Sequence, residues 1–544
     1  MADPRSPVVG RIPFALRVGV TGHRTLSNEL AILSAVREAL TRLKSLVPTS
    51  TTTPVALVVV SALAEGADRL VAREALSENG ACLEVVLPMP EADYLTDFQS
   101  EASRDEFRHL LRRASETSNP PPGFKTREEA YEWAGRQVVD RSDAVIGLWD
   151  GEPSRGRGGT AEVLAYAEDR GVPLVWVKTQ GAPSITEKLG VERARVISEA
   201  ARQLSEFNRR PLFERRFRRR FRERMVSQRT LWRLDAVSAD DGEFHRLPRE
   251  RVADWLLPYF IRADLQALWF QFLFKVLGSA VFVIAALAVA IVTIQTNVFP
   301  QHTWLVAIEV ALLCGLLAIP TLSRWLRLHN RWISYRYLAE RLRSLYFLTL
   351  AGTGDRQKRS AKLAYLSDPA ESWIERALSE VRAHRPPVQV GRGGLDQLRT
   401  YLARYWIEDQ ARYHAKTQER DRTWDVRISR LTQFLFTITV VAALLHMVHF
   451  AHDSALATLV VVVSICVPAF GAAAHGIATQ RQYRRHSERY GRMSGLLQQR
   501  VAEILIADSL QSVQSLAAET ERLIREENSD WFGVMRFHDI ELIT

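Results

Sequence analysis

Two hydrophobic patterns divide the chain. Over residues 12–180, short apolar runs alternate with stretches whose apolar positions recur every third or fourth residue. The runs Ala15–Thr21, Val55–Ser61, Cys82–Leu87, Ala144–Leu148 and Pro173–Val177 predict strands. Asn28–Leu46, Ala67–Glu78, Arg127–Arg141 and Thr160–Asp169 predict helices between them. Strands apolar on both faces, alternating with helices, imply an α/β doubly wound (Rossmann-like) domain built on a parallel sheet. Ligands of such domains sit beyond the carboxyl ends of the strands. Segment 91–125, with Pro120, Pro121, Pro122 and Gly123, reads as a mobile excursion or lid.

Past residue 250 the pattern changes. No charged residue occurs from Val276 to Ile308; Glu309 stands alone, and the next charge is Arg324. Residues 431–452 and 454–480 are again uncharged, separated by Asp453. A membrane-spanning helix needs about 20 mostly apolar residues. Four spans are predicted, at about 276–296, 303–323, 430–450 and 455–476. The turns Asn297–His302 and Ala451–Ala455 hold no Lys or Arg, whereas Arg324, Arg327, Arg331, Arg336 and Arg341 follow the second span. Arg481, Arg484, Arg485, Arg489 and Arg492 follow the fourth. That bias predicts cytoplasmic termini and a cytoplasmic middle region. The first 12 residues lack an apolar core, so no cleavable signal peptide is expected. The expectation is an all-α, multi-pass membrane region with additional cytoplasmic helices.

Composition adds constraints. The 544 residues are 47% hydrophobic and 25% charged, which excludes global disorder and a collagen-like chain. Three cysteines, Cys82, Cys314 and Cys466, give neither a disulfide framework nor a cysteine-rich zinc module, and no metal site is predicted. All three are expected to be reduced packing residues. The net charge of +10 is concentrated locally. Residues 185–250 form a basic helical linker with Arg209, Arg210, Arg215, Arg216 and Arg218–Arg220, and with Phe213, Phe217 and Phe221 at four-residue spacing. That stripe suits anionic lipid, packing on the first domain or another subunit, or nucleic acid. The adjoining spans favour lipid and argue against nucleic acid.

An internal repeat is visible. Tyr259-Phe-Ile261 precedes the first hairpin and Tyr405-Trp-Ile407 the second, at an offset of 146. Arg336, Glu340 and Arg341 follow the first, and Arg484, Glu488 and Arg489 the second, at an offset of 148. A third match, Gln271–Phe274 with Gln433–Phe436, has an offset of 162 and conflicts with both. The implied layout is a ligand-binding domain over 12–180, a linker over 185–250, and two-helix membrane modules over 251–365 and 395–515. A linker over 366–394 and a cytoplasmic tail over 516–544 complete it.

Three clusters fall at predicted strand ends. Gly19, Thr21, Gly22, His23 and Arg24 follow the first strand; a glycine admits a phosphate and Thr21 and Arg24 can bond to it. Ser61, Leu63, Glu65, Gly66 and Asp68 follow the second, with Asp68 placed for ribose or for helix capping. Gly156, Gly158, Gly159, Thr160 and Glu162 open a helix whose N-terminus favours an anion. Glu162 suits either a ribose hydroxyl or a general base. Glu309 and His475 are the candidates for polar pore lining, and headgroup placement suits them equally.

The runs VTGHR at 20–24, SALAEGAD at 61–68 and GRGGTAEVLAYA at 156–167 resemble the SLOG superfamily. That superfamily includes DNA-processing protein A, the "lonely guy" phosphoribohydrolases and the nucleotide-sensing region of melastatin-type channels. The resemblance implies a nucleotide-derived ligand, such as an ADP-ribose-like molecule or a cyclic nucleotide, and no obligatory cofactor. Thr160 and Glu162 are separated by one residue where the phosphoribohydrolase pattern has two. Tyr405–Gln410, Tyr413–Lys416 and the Arg-rich helix with Glu488 resemble SLATT domains, two-span modules of bacterial conflict systems. Together these imply a homo-oligomeric effector of the bacterial inner membrane, gated by a nucleotide signal and acting in antiphage defence. The alternative is a membrane-anchored nucleotide or NAD-type hydrolase using Glu162. A scaffold that places partners at the membrane is the third class.

Overall fold

The computed structural model describes residues 10–48, 50–153, 158–209, 214–232, 246–353, 369–388, 394–447 and 454–535. Its first half runs β1 (Phe14–Gly22), α1 (Glu29–Ser45), β2 (Val55–Ser61), α2 (Ala67–Leu76), β3 (Cys82–Val86), α3 (Glu91–Tyr94), α4 (Glu101–Arg113) and β4 (Glu116–Ser118). There follow α5 (Arg127–Asp140), β5 (Ala144–Trp149), α6 (Thr160–Asp169), β6 (Leu174–Lys178), β7 (Ile185–Lys188), α7 (Val191–Asn208) and α8 (Glu214–Leu231). The second half runs α9 (Arg246–Asn297), α10 (Trp304–Trp325), α11 (Leu328–Ala351), α12 (Pro369–Ala383) and α13 (Leu395–Leu402). After a π-helical turn at Ala403–Ile407 come α14 (Glu408–Met447), α15 (Ser454–Arg481), α16 (Tyr483–Leu505) and α17 (Leu510–Met535). These elements form two units, residues 1–217 with 357–385, and residues 218–356 with 386–544.

The first unit is a seven-stranded sheet of order β4-β3-β2-β1-β5-β6-β7, parallel except for β7. Strand order reverses between β1 and β5, which pair from Val18↔Ala144 to Gly22↔Leu148. A Cβ on Gly19 would meet Val138 of α5, and one on Gly22 would meet Ala67 of α2. Those two positions point to opposite sides of the strand, so α2 and α5 cover opposite faces. Val18, Val59, Val60, Val145 and Ile146 are consequently buried on both.

Three sequence expectations change here. Segment 91–125 is built into the fold: β4 adds an edge strand, and Tyr94, Phe98, Phe107 and Leu110 are buried. The linker at 366–394 contains α12, which belongs to the first unit. Arg376 of α12 makes a buried bidentate pair with Asp143 at 2.6 and 2.8 Å, and Trp373 packs against Phe207 of α7. The stretch 185–250 is likewise divided. β7 and α7 complete the first unit, with Asn208 side-chain bonds to Ile12 and Thr53. The later part of α8 is tied to α9 by Arg224–Asp264 (3.1 Å) and Arg229–Asp254 (2.7 Å). Phe213 and Arg210 lie outside the described residues.

The second unit is all-helical. It contains four helices long and apolar enough to cross a membrane, at the four predicted places. Each hairpin ends in one left-handed residue, Arg327 between α10 and α11 and Gln482 between α15 and α16. Counted from these breaks, buried Leu338 and Leu342 answer Met493 and Leu497. The earlier motif holds too, since Phe260 and Trp406 are both buried. The Arg-x-x-x-Glu match does not: Arg336–Glu340 is largely buried at 2.5 Å, whereas Arg484–Glu488 is exposed at 3.4 Å and closer to its break. Of the tail expected over 516–544, the part up to Met535 belongs to α17, which buries Val513, Ala517 and Thr520 and pairs Glu527 with Arg489 at 2.7 Å; residues 536–544 lie outside the described residues. Cys82, Cys314 and Cys466 are free thiols; Cys314 is exposed on α10, so the packing expectation fails there.

Candidate functional site

The crevice at the β1/β5 reversal collects the three predicted clusters, but it uses their residues differently. At the end of β1, His23 N–H donates to the Leu148 carbonyl at 3.1 Å, continuing the ladder beyond Gly22. A Cβ on Gly22 would lie 2.4 Å from the Cβ of Ala67, so this glycine lets α2 close on the strand. Gly19 lies inside the strand and makes room for Ser142. Thr21 is half-buried at the carboxyl end. His23 Nε2 accepts the Asp150 N–H at 3.1 Å and lies 3.0 Å from Asp150 Oδ1, joining the ends of β1 and β5. Burial opposes ionisation of Asp150, but the Glu152 N–H and His23 outweigh it and hold the carboxyl below its usual range.

The second cluster organises its own loop. Ser61 Oγ donates to Asp68 Oδ2 at 2.8 Å and accepts the Leu63 N–H at 2.9 Å; the Ala64 N–H reaches the same carboxylate oxygen at 3.4 Å. Leu63 is buried with φ of 56°, a left-handed conformation costly for a branched residue. Arg69 holds it there, donating from Nε to the Leu63 carbonyl at 3.1 Å and from Nη1 to Ser103 at 2.8 Å. Asp68 is 4% exposed, and burial pushes its carboxyl up to about 6 against the hydrogen bonds that favour the anion. Neither Ser61 nor Asp68 reaches solvent as a ribose-binding group would. Glu65 accepts the Ser103 hydroxyl. Gly66 (φ 75°) lets this loop touch the first, since a Cβ would lie 2.3 Å from the Arg24 carbonyl.

At the third cluster, Gly158 N–H donates to Glu162 Oε2 at 2.7 Å, so Glu162 caps the start of its own helix. Gly159 is the N-cap, Thr160 begins α6, and both are half-buried; Gly156 lies outside the described residues. Arg24 completes the crevice. Its guanidinium, 47% exposed, lies 5.4 Å from the Tyr131 ring centroid and 3.9 Å from Asp97, which also binds Arg127 and the Tyr131 hydroxyl.

No family model matches this chain, and no match is found among curated proteins.

The candidate residues left at least partly accessible at the strand ends are therefore Thr21, His23, Arg24, Gly159 and Thr160. Tyr131, Asp97, Asp150 and Arg69 were missed in the sequence because each acts across a long separation, with no local motif. Of the two pore candidates, Glu309 is half-buried on α10 and His475 is exposed on α15. Among the described residues no cluster of His, Cys, Asp and Glu suits a metal ion.

Proposed function

We propose that this chain is a membrane effector whose first unit binds a phosphate-bearing, nucleotide-derived ligand and whose second unit alters bilayer permeability in response. The carrying observation is a strand-order reversal at which Arg24 lies 5.4 Å from the Tyr131 ring and Gly158, just before α6, packs on the same Tyr131, in one chain with four helices long and apolar enough to span a membrane. A phosphate at α6 gains from unpaired backbone N–H groups and the helix dipole. Arg24 supplies a charge-assisted bond, and the Tyr131 ring beside it offers a face for a base.

A ligand shifts the conformational equilibrium only by its differential affinity for two states. The chain passes between the two units at 217/218, 356/357 and 385/386, so a rearrangement of the first unit pulls on α8, α11 and α13 through covalent connections. Four spans are few for a wide pore, and the proposed active form is a homo-oligomer. The resemblance to conflict-system modules makes antiphage defence at the bacterial inner membrane the proposed setting. The experiment is calorimetric titration of full-length protein in lipid nanodiscs with ADP-ribose and with cyclic AMP. Saturable binding lost in Arg24→Ala supports the reading. Binding that persists in Arg24→Ala contradicts the assigned site, and steady turnover lost in Glu162→Gln supports the hydrolase instead.

A further inference from the structure

Lys275 is the last charged residue before the uncharged run of α9, and Arg481 is the first after that of α15. The two meet at the foot of the hairpins. Arg481 Nη2 donates to the Lys275 carbonyl at 3.0 Å and to Ser279 Oγ at 3.0 Å. Its Nε is buried without a hydrogen-bond partner. Lys275 lies 6.0 Å from the Trp332 ring centroid and is in the field of Arg481, Arg420, Arg336 and Asp421. The carboxylates nearby are already engaged: Asp421, 4% exposed, with Arg420 at 2.9 Å, and Glu340 with Arg336 at 2.5 Å. Among the described residues, neither Lys275 nor Arg481 has an ion-pair partner. Two shielded cations without a counter-charge are costly where apolar surface begins.

The surroundings fit a membrane interface. Trp424 is 45% exposed, with its ring centroid 6.5 Å from that of Tyr483 and the Arg427 guanidinium 5.8 Å away. Amphipathic rings beside basic side chains gather at headgroup level. We infer that Lys275, in the field of Arg481, binds a phosphate-type anion between the two hairpins. Either an anionic lipid headgroup or free phosphate supplies that chemistry. Because α9 belongs to one hairpin and α15 to the other, the anion ties the pair together. The site rests on the membrane reading alone, and failure of nucleotide gating would leave it untouched.

The test melts purified full-length protein in detergent with phosphatidylglycerol, phosphatidylcholine or inorganic phosphate. Phosphatidylglycerol is expected to raise the midpoint by about 5 °C, and phosphatidylcholine not to. Lys275→Met abolishes the rise while keeping the backbone carbonyl that Arg481 grips; Lys275→Arg and the exposed control Arg485→Met retain it. A larger effect of phosphatidylglycerol assigns the anion to lipid, an equal effect of inorganic phosphate to solution, and both support the site. No rise in the wild type, or an equal rise in Lys275→Met, overturns it. Should Lys275→Met fail to fold, native mass spectrometry of the wild type decides: retained phosphatidylglycerol or phosphate supports the site, and the absence of both overturns it.

Discussion

Asp68 illustrates how a residue that reads as a ligand group serves the loop instead. Its folded carboxyl titrates at about 6 against an ordinary 3.8, so the native state binds the proton more tightly than the unfolded chain. That stabilisation is complete below about pH 4 and is lost as pH rises through about 6, an effect of roughly 3 kcal/mol. Chemical denaturation at several pH values should show this dependence in the wild type and lose it in Asp68→Asn. Asp68→Ala, which strands the Ser61 hydroxyl and the Ala64 N–H, should cost about 1–3 kcal/mol. Arg24 is the opposite case. Arg24→Ala should weaken nucleotide binding roughly 10- to 100-fold, the worth of a charge-assisted bond, and shift stability by no more than about 0.5 kcal/mol. The sequence located the glycines at the crevice, but local spacing does not distinguish a glycine that admits a phosphate from one that, like Gly22, admits Ala67.

At the scale of elements, the central strands were readable to within a residue or two because strands buried on both faces are unbroken apolar runs. The edge strands β4 and β7 were not, being short and polar (Glu116–Ser118 and Ile185–Lys188). Helix α12 was read as linker because its partner, Asp143, lies 233 residues away from Arg376. Arg376 is 5% exposed and Asp143 fully buried, so Arg376→Met should cost about 3–5 kcal/mol by removing the bidentate cation from a buried carboxylate. Adding Asp143→Asn should recover part of that loss in thermal melts. A 1–180 fragment lacks α7 and α12 and is expected to be insoluble. In the helical unit, a Cβ on Gly476 of α15 would sit 2.3 Å from the Phe282 ring of α9, whereas Gly315 of α10 has open space around it. Gly476→Val should therefore destabilise the detergent-solubilised protein by about 1–3 kcal/mol, and Gly315→Val should be neutral.

The whole chain joins two kinds of chemistry that composition alone blurs: a net charge of +10 and an ordinary hydrophobic fraction conceal four helices with long apolar stretches in one chain with an α/β sheet. The linear pattern separated them, but it did not reveal that the first unit is discontinuous and recovers α12 from the chain between the two apolar hairpins. That interleaving gives the proposed sensor covalent leverage on both hairpins. If the four apolar helices span a bilayer as proposed, the intact chain should remain in the pellet after alkaline carbonate washing; release into the supernatant would end the membrane reading. The most direct test of coupling is ion flux from proteoliposomes holding the full chain, recorded with and without ADP-ribose or cyclic AMP. The account predicts flux that rises with one of these ligands in the wild type and stays at baseline in Arg24→Ala; a ligand that binds at the crevice yet leaves wild-type flux unchanged would contradict it.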